Sequence, residues 1–504
     1  MTTFCSRDGA LRRPADGAVM GRKAPGAVRP GAGLVAWLAV GALAGCAVGP
    51  DYQRPQIALP AQYPQALDDA VPAQTPTAAT VAPDWWTQFG DERLTHLVER
   101  ALAHNADILQ AVARVEQAEA LGMQADAARW PGVDAQGSAT RSRTSATTGQ
   151  AGGGSTVDRQ RLALSTGFEL DFWGRLRRAS EAARAEVLAS RYAQEVVRQT
   201  VAGLVAQGEF ALRTLDEQIA LTRETLRTRD ESLRLLRLRL EHGLGSRLEI
   251  AQAEGARAEA AVQLNELQRQ RAEVQAQLAL LVGEPGLVLE AAPVRDLPRP
   301  PVPPAGLPSA LLERRPDVRQ AEQQLVAAQA QIGVARAALF PSIALTGLAG
   351  GESAALSDLL RGASRIWTLG VALDWPIFDA GLRRARVEQA EARQREALAA
   401  YQGAVQTAFK DVAQALANLR AARESEPEVL AAARAADQAL DLARRRFDAG
   451  YVGHLELLDA QRSANAAQLQ VLSNRRAQLA ATVEVFKALG GGWTPPDAAA
   501  TAAR

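Results

Sequence analysis

Between residues 161 and 172 every even position is apolar or threonine (Leu162, Leu164, Thr166, Phe168, Leu170, Phe172), whereas Arg161, Ser165, Glu169 and Asp171 occupy odd ones. Residues 366–375 repeat the pattern, with Trp367, Leu369, Val371, Leu373 and Trp375 set against Thr368, Gly370, Ala372 and Asp374. Alternation with period two predicts strands that have one wet and one apolar face. Segments 133–143 and 343–350 complete four predicted strands. The remaining pattern is helical. Stretches 91–129 and 305–339 each predict one helix ending before a proline, Pro131 or Pro341. Very long helices follow over 174–241 and 381–448, then a glycine turn and further helices over 246–283 and 454–490. Each long helix spans about 100 Å, and the two shorter helices of a copy placed end to end cover a similar distance. Their alanine-rich faces suit close coiled-coil packing. Pro427 predicts a kink.

The order of parts occurs twice. Asn105 and Asp107 align with Arg315 and Asp317 at an offset of 210, and the register holds through Ala118/Ala328, Ala125/Ala335 and Pro131/Pro341. Later, Gly243, Leu248, Glu249 and Gly283 answer Gly450, Leu455, Glu456 and Gly490 at an offset of 207. A slip of three residues over so long a span predicts an internal duplication. The proline-rich stretch from Pro298 to Pro304 reads as an extended linker between the copies.

Ten residues at the rise of a strand, tilted by about 45°, cover about 23 Å, close to the apolar band of an outer-membrane barrel. Tryptophan at both ends of one apolar face fits that setting. Four strands cannot close a barrel, and an open sheet edge is not tolerated in lipid. Several chains must therefore pool strands. Two would supply eight and a filled interior; three would supply twelve and room for a channel.

Composition narrows the function classes. The 504 residues carry 57 Lys+Arg against 56 Asp+Glu, a balance that argues against a nucleic-acid binder. Two cysteines exclude a disulfide framework, a Cys-rich zinc site and an iron–sulfur cluster. The four histidines lack metal-ligand spacing and read as surface residues. No nucleophile–base pair is suggested, and Gly152–Gly154 lacks the context of a phosphate loop. No enzyme and no cofactor are expected. The amino terminus reads as an address: basic residues up to Arg29, an uncharged core from Gly31 to Gly45, then Leu43-Ala44-Gly45-Cys46, which resembles a bacterial lipobox. The expectation is a signal peptide over 1–45, with Cys46 carrying diacylglycerol and an N-acyl chain. Translation begins at Met1 or at Met20.

Cys46-Ala-Val-Gly-Pro-Asp-Tyr52 with Arg54 and Pro55, Trp85-Trp86-Thr-Gln-Phe89 with Asp91 and Leu94, Leu102-Ala-His-Asn105 with Asp107, Phe340-Pro341-Ser342-Ile343 and Gly381 together carry a family likeness. On these residues the chain resembles the TolC-like outer-membrane efflux proteins, and within them the OprM/NodT-type lipoproteins of RND pumps. The resemblance implies a mixed α and β membrane protein. A homotrimer would form a 12-stranded outer-membrane β-barrel on a long periplasmic α-helical coiled-coil barrel, each chain giving four strands. It implies two partners, a periplasmic adaptor protein and an inner-membrane RND transporter, and passive conduction of drugs or other small toxic compounds. On this reading the parts are a signal (1–45), a lipidated extended segment (46–90), a first repeat (91–290), the linker (291–304), a second repeat (305–492) and a tail (493–504).

By the same resemblance, the turns Gly243-Leu244-Gly245-Ser246 and Gly450-Tyr451-Val452-Gly453 dock the adaptor. Glu456 and Asp459, three apart on one helix face, match acidic rings that narrow the periplasmic entrance. Six such carboxylates around a threefold axis would repel one another and favour hydrated cations. Leu162, Leu164, Phe168, Leu170, Trp367, Leu369, Val371, Leu373 and Trp375 would face lipid. The competing expectation is a non-conducting periplasmic coiled-coil lipoprotein, an adaptor or envelope spacer. Four alternating strands in two equivalent places favour the duct.

Overall fold

A computed structural model of the chain describes residues 48–58, 60, 81–145, 147, 154–291, 301 and 314–493. The signal segment 1–45 and Cys46 lie outside these residues. So do most of the linker, most of the C-terminal tail, and parts of the 46–90 segment and of the loop after the first strand.

The first copy runs α1 (Glu92–His104), α2 (Ala106–Ala127), β1 (Gly132–Arg143), β2 (Thr156–Leu170), α3 (Arg175–Glu241) and α4 (Arg247–Val282). The second runs α5 (Pro316–Ala337), β3 (Ser342–Ser353), β4 (Arg365–Asp374), α6 (Leu382–Asp448) and α7 (His454–Ala488). Both long helices have 67 residues. The single helix expected over 91–129 is instead two. The chain turns extended at Asn105 (φ −63°, ψ 129°), whose side-chain oxygen accepts from the amides of Asp107 and Ile108 and so caps α2. The equivalent Arg315 is also extended, and Pro316 opens α5 at the position where a missing N–H costs nothing. Of the helix expected over 305–339, residues 316–337 form α5, and 305–313 lie outside the described residues. Asparagine is a favoured N-cap, a local signal that the single helix expected over 91–129 overlooks. Helix α6 continues through Pro427 without interruption.

Helices α2, α3, α5 and α6 pack side by side next to the sheet, and beyond the breaks α4 lies against α3 while α7 lies against both α6 and α3. The long helices thus run through both halves, and α2 gives way to α4 as α5 does to α7. Small residues line the contacts: α3 buries Ala182, Ala185 and Ala189 before its larger Val201, Val205 and Phe210. The large core sits at the level of the breaks. Trp85 stacks on Phe486 (5.6 Å) and Phe89 meets Phe210 (5.0 Å). Farther from the sheet, among the described residues, lie small clusters, Leu215 with Ile219 and Leu267, then Leu233 with Leu236 and Ala253.

One four-stranded antiparallel sheet has the order β1-β2-β3-β4. The strands match expectation in number, with β2 beginning at Thr156 and ending at Leu170. Phe172 and Trp375 therefore lie just beyond their strands.

Candidate functional site

The register gathers most large apolar side chains on one face of the sheet, although Leu348 and Ile366 stand on the other. Val133 opposes Thr166, Leu164 opposes both Ala135 and Ala349, Leu345 opposes both Phe168 and Val371, and Ile343 opposes both Leu170 and Leu373. These positions share a face with Leu162, Trp367 and Leu369, so the apolar set is continuous across all four strands. It is also uncovered: Trp367 is 78% and Leu369 79% exposed, with Leu162, Leu164, Val371, Leu373 and Trp375 exposed too. Phe168 and Leu170 are half-buried. The other face carries Asp134, Gln136, Arg159, Glu169, Glu352 and Thr368, with Arg159 paired to Glu352 at 3.3 Å. Strands β1 and β4 each have one unpaired edge. Such a sheet is incomplete by itself.

The passage from sheet to helices is built twice in the same way. Asp171 accepts from the amides of Leu176 and Arg177 and caps α3, and Asp379 accepts from the amides of Gly381 and Arg383 and caps α6. Gly174 and Gly381 hold the left-handed conformation (φ 78° and 88°) that the sharp entry requires. Trp173 stacks on Phe340 at 4.6 Å and its indole N–H donates to the Pro341 carbonyl.

The chain after Cys46 lies along α3 and α5 as a strap. The Val48 amide donates to the Trp173 carbonyl, Arg178 pairs with Asp51 (2.6 Å), and Arg54 makes two 2.7 Å hydrogen bonds to Glu322. Burial works against the Glu322 carboxylate, but Arg54 and Arg319 outweigh it and hold its pKa below the usual range. A Cβ on Gly49 would sit 2.6 Å from the Gly333 Cα, so the backbones meet only because both residues are glycine.

At the far end the two turns share geometry at an offset of 207. Gly243 and Gly450 are left-handed (φ 75° and 79°), and the next amides, Leu244 and Tyr451, donate back to Arg239 and Arg446. Leu244 and Tyr451 are about 80% exposed, at 81% and 80%. Gly243, Ser246, Gly450 and Gly453 are exposed, and Gly245 and Val452 partly so. Ser246 caps α4 with Glu249 closing a capping box; Gly453 offers no side chain to α7. Glu456 is held by Arg446 at 2.7 Å, across the turn, and Asp459 is exposed. Sequence reasoning missed Arg446, because a salt-bridge partner ten residues away on another helix has no spacing signature.

Three histidines are at the surface as expected, but His454 is 2% exposed. As first residue of α7 it folds against Phe447 of α6 (5.8 Å), and the Arg239 guanidinium lies over the Phe447 ring, 5.0 Å from its centroid. Burial lowers its pKa; Glu249 opposes and Arg239 reinforces the shift. Among the described residues no cluster of ligands suits a metal ion, and no helix is long and apolar enough to cross a membrane.

This combination of a membrane-type sheet and paired long helices is that of an outer-membrane channel. The chain belongs to the outer membrane efflux protein family, whose model matches residues 97–284 and 307–491. It is 35% identical over 470 residues to outer membrane protein OprJ of Pseudomonas aeruginosa, covering 92% of this chain and 97% of that one. It is 34% identical over 457 residues to the cation efflux system protein CusC of Escherichia coli, covering 90% and 97%. The fold superposes on the outer-membrane channel OprN with a TM-score of 0.82 at 31% identity, over 89% of this chain and all of the other. The chain is a non-catalytic channel component of a TolC-type efflux system, an outer-membrane protein with a periplasmic helical domain.

Proposed function

We propose that three copies of this chain pool their sheets into a 12-stranded barrel, and their helices into a periplasmic tube, to form the exit duct of a tripartite RND pump. One observation carries this reading: a four-stranded sheet with a continuous, uncovered apolar face and two unpaired edges. Burying the edges requires further copies, and lipid is the solvent that suits the face.

In this account Cys46 bears the diacylglycerol and N-acyl chains, two residues before the strap begins at Val48. The turns 243–246 and 450–453 dock the adaptor, and Glu456 and Asp459 ring the entrance. The transporter supplies energy and selects cargo; the duct contributes a bistable helix packing at its tip. The Arg446–Glu456 pair and the thin clusters around Leu233 and Leu236 are the contacts that opening must break. Drugs and other small toxic compounds are the expected cargo class.

Reconstitution into planar bilayers tests this. The purified protein should produce discrete single-channel steps, and Cys46→Ser should leave conduction intact while abolishing metabolic palmitate labelling. A protein that labels yet never conducts would return the account to the coiled-coil spacer.

A further inference from the structure

Next to the sheet, α2, α3, α5 and α6 line a half-open cavity of about 1050 Å³. Its charged lining is almost wholly basic: Arg114, Arg175, Arg383, Arg386 and Arg393, against the single carboxylate of Glu186. Alanines from all four helices, with Leu121 and Val334, form an apolar floor.

Two observations fix which way this face looks. Arg175 makes two hydrogen bonds, of 2.9 and 2.6 Å, to Glu169, which stands on the wet face of β2. The strap covers the opposite side: it meets α5 at Glu322 and Gly333, each two residues, or about 200° of helix, from the cavity-lining Gln324 and Gln331. The cavity is thus continuous with the wet face of the sheet, which is the lumen if the duct reading holds, and the inference rests on that reading.

The charges are not cancelled locally. Arg175 is neutralised by Glu169 and Arg383 by Asp379, but Arg114, Arg386 and Arg393 have no carboxylate partner among the described residues. Burial pushes the Glu186 carboxyl up. Guanidiniums over an alanine floor offer charge-assisted hydrogen bonds to an anionic head and apolar surface to a tail.

We infer that this basic belt, where barrel meets helices, is a transit site for anionic amphiphiles, with Arg114, Arg386 and Arg393 taking a carboxylate, sulfonate or phosphate head. Its position below the barrel makes it reachable from outside without passing the acidic tip.

The test is single-channel recording with decanesulfonate or decyltrimethylammonium added on the barrel side. Decanesulfonate should block the wild-type channel and the cation should not. The Arg114→Gln/Arg386→Gln/Arg393→Gln variant should need about tenfold more decanesulfonate, the equivalent of one lost charge-assisted hydrogen bond. The corresponding triple Lys variant should retain most of the block. Equal block by both amphiphiles, or block unchanged in the Gln variant, overturns the belt while leaving the duct standing. Absence of channels in every form overturns the duct reading, and the belt with it.

Discussion

The side-chain amide of Asn105 donates to the main-chain carbonyl of Leu281 at 2.8 Å, and the second copy reproduces the contact with different chemistry. There the Arg315 guanidinium donates to the carbonyl of Ala488, the residue 207 positions after Leu281. Each break in the chain is thus fastened to the end of the last helix of its own copy. The following glycines complete the joint. A Cβ on Gly283 would lie 2.6 Å from the His104 carbonyl, and one on Gly490 would lie 2.7 Å from that of Arg314. Both glycines are left-handed, at φ 77° and 98°.

Substituting either glycine should therefore loosen the junction. Gly283→Ala or Gly490→Ala forces a side chain into backbone at positive φ, at a cost of about 1–3 kcal/mol each. Thermal unfolding followed by circular dichroism should show a lowered midpoint for both, whereas Gly255→Ala, with open space at its Cβ, should leave it unchanged or raised.

At the tip, Arg446→Ala frees Glu456 from its pair. The pair is about half exposed, so in one chain it contributes no more than about 1 kcal/mol, and salt screens it. Repeated around the axis of an oligomer, its loss should raise open probability in bilayer recordings several-fold at low salt and less at high salt. Unchanged gating at low salt would remove this pair from the latch.

The buried His454 makes the same end sensitive to pH. Its folded pKa is lowered, so the unfolded or opened tip binds the proton more readily. Tip packing is at full strength above the ordinary histidine value of about 6.5 and weakens as pH falls through it toward the lowered value. Hydrogen exchange at amides near residues 447–458 should be faster at pH 5.5 than at pH 7.5, after correction for intrinsic rates. The His454→Phe variant should lose that difference.

The apolar face of the sheet makes a membrane prediction. Leu369→Arg places a cation at mid-strand on the exposed apolar side, at a cost of about 2–4 kcal/mol in lipid. Heat-modifiable gel mobility should show a reduced yield of assembled protein. Thr368→Arg, on the wet face of the same strand, should assemble normally.

Much of this architecture is legible in the sequence, because period-two alternation and proline and glycine stops are local signals. Trp367 and Leu369 declare their place on an alternating face, and Gly243 its place at a helix end, through local spacing. The break at Asn105 is only partly legible: asparagine favours an N-cap, but the carbonyl that fastens it belongs to Leu281, 176 residues away. The Arg446 latch and the burial of His454 depend on how α6 and α7 fold back on each other. The basic belt gathers arginines from three helices that no single motif unites. Glu456 and Asp459, by contrast, came from family likeness, and only the pairing of Glu456 adds structural detail.

The central claim is that this sheet closes only with copies of itself. Electron microscopy of the detergent-purified protein tests it most directly. The account predicts a threefold particle with a short barrel and a helical tube on the order of 100 Å, from the rise of 67-residue helices. A monomeric rod without a barrel would contradict it.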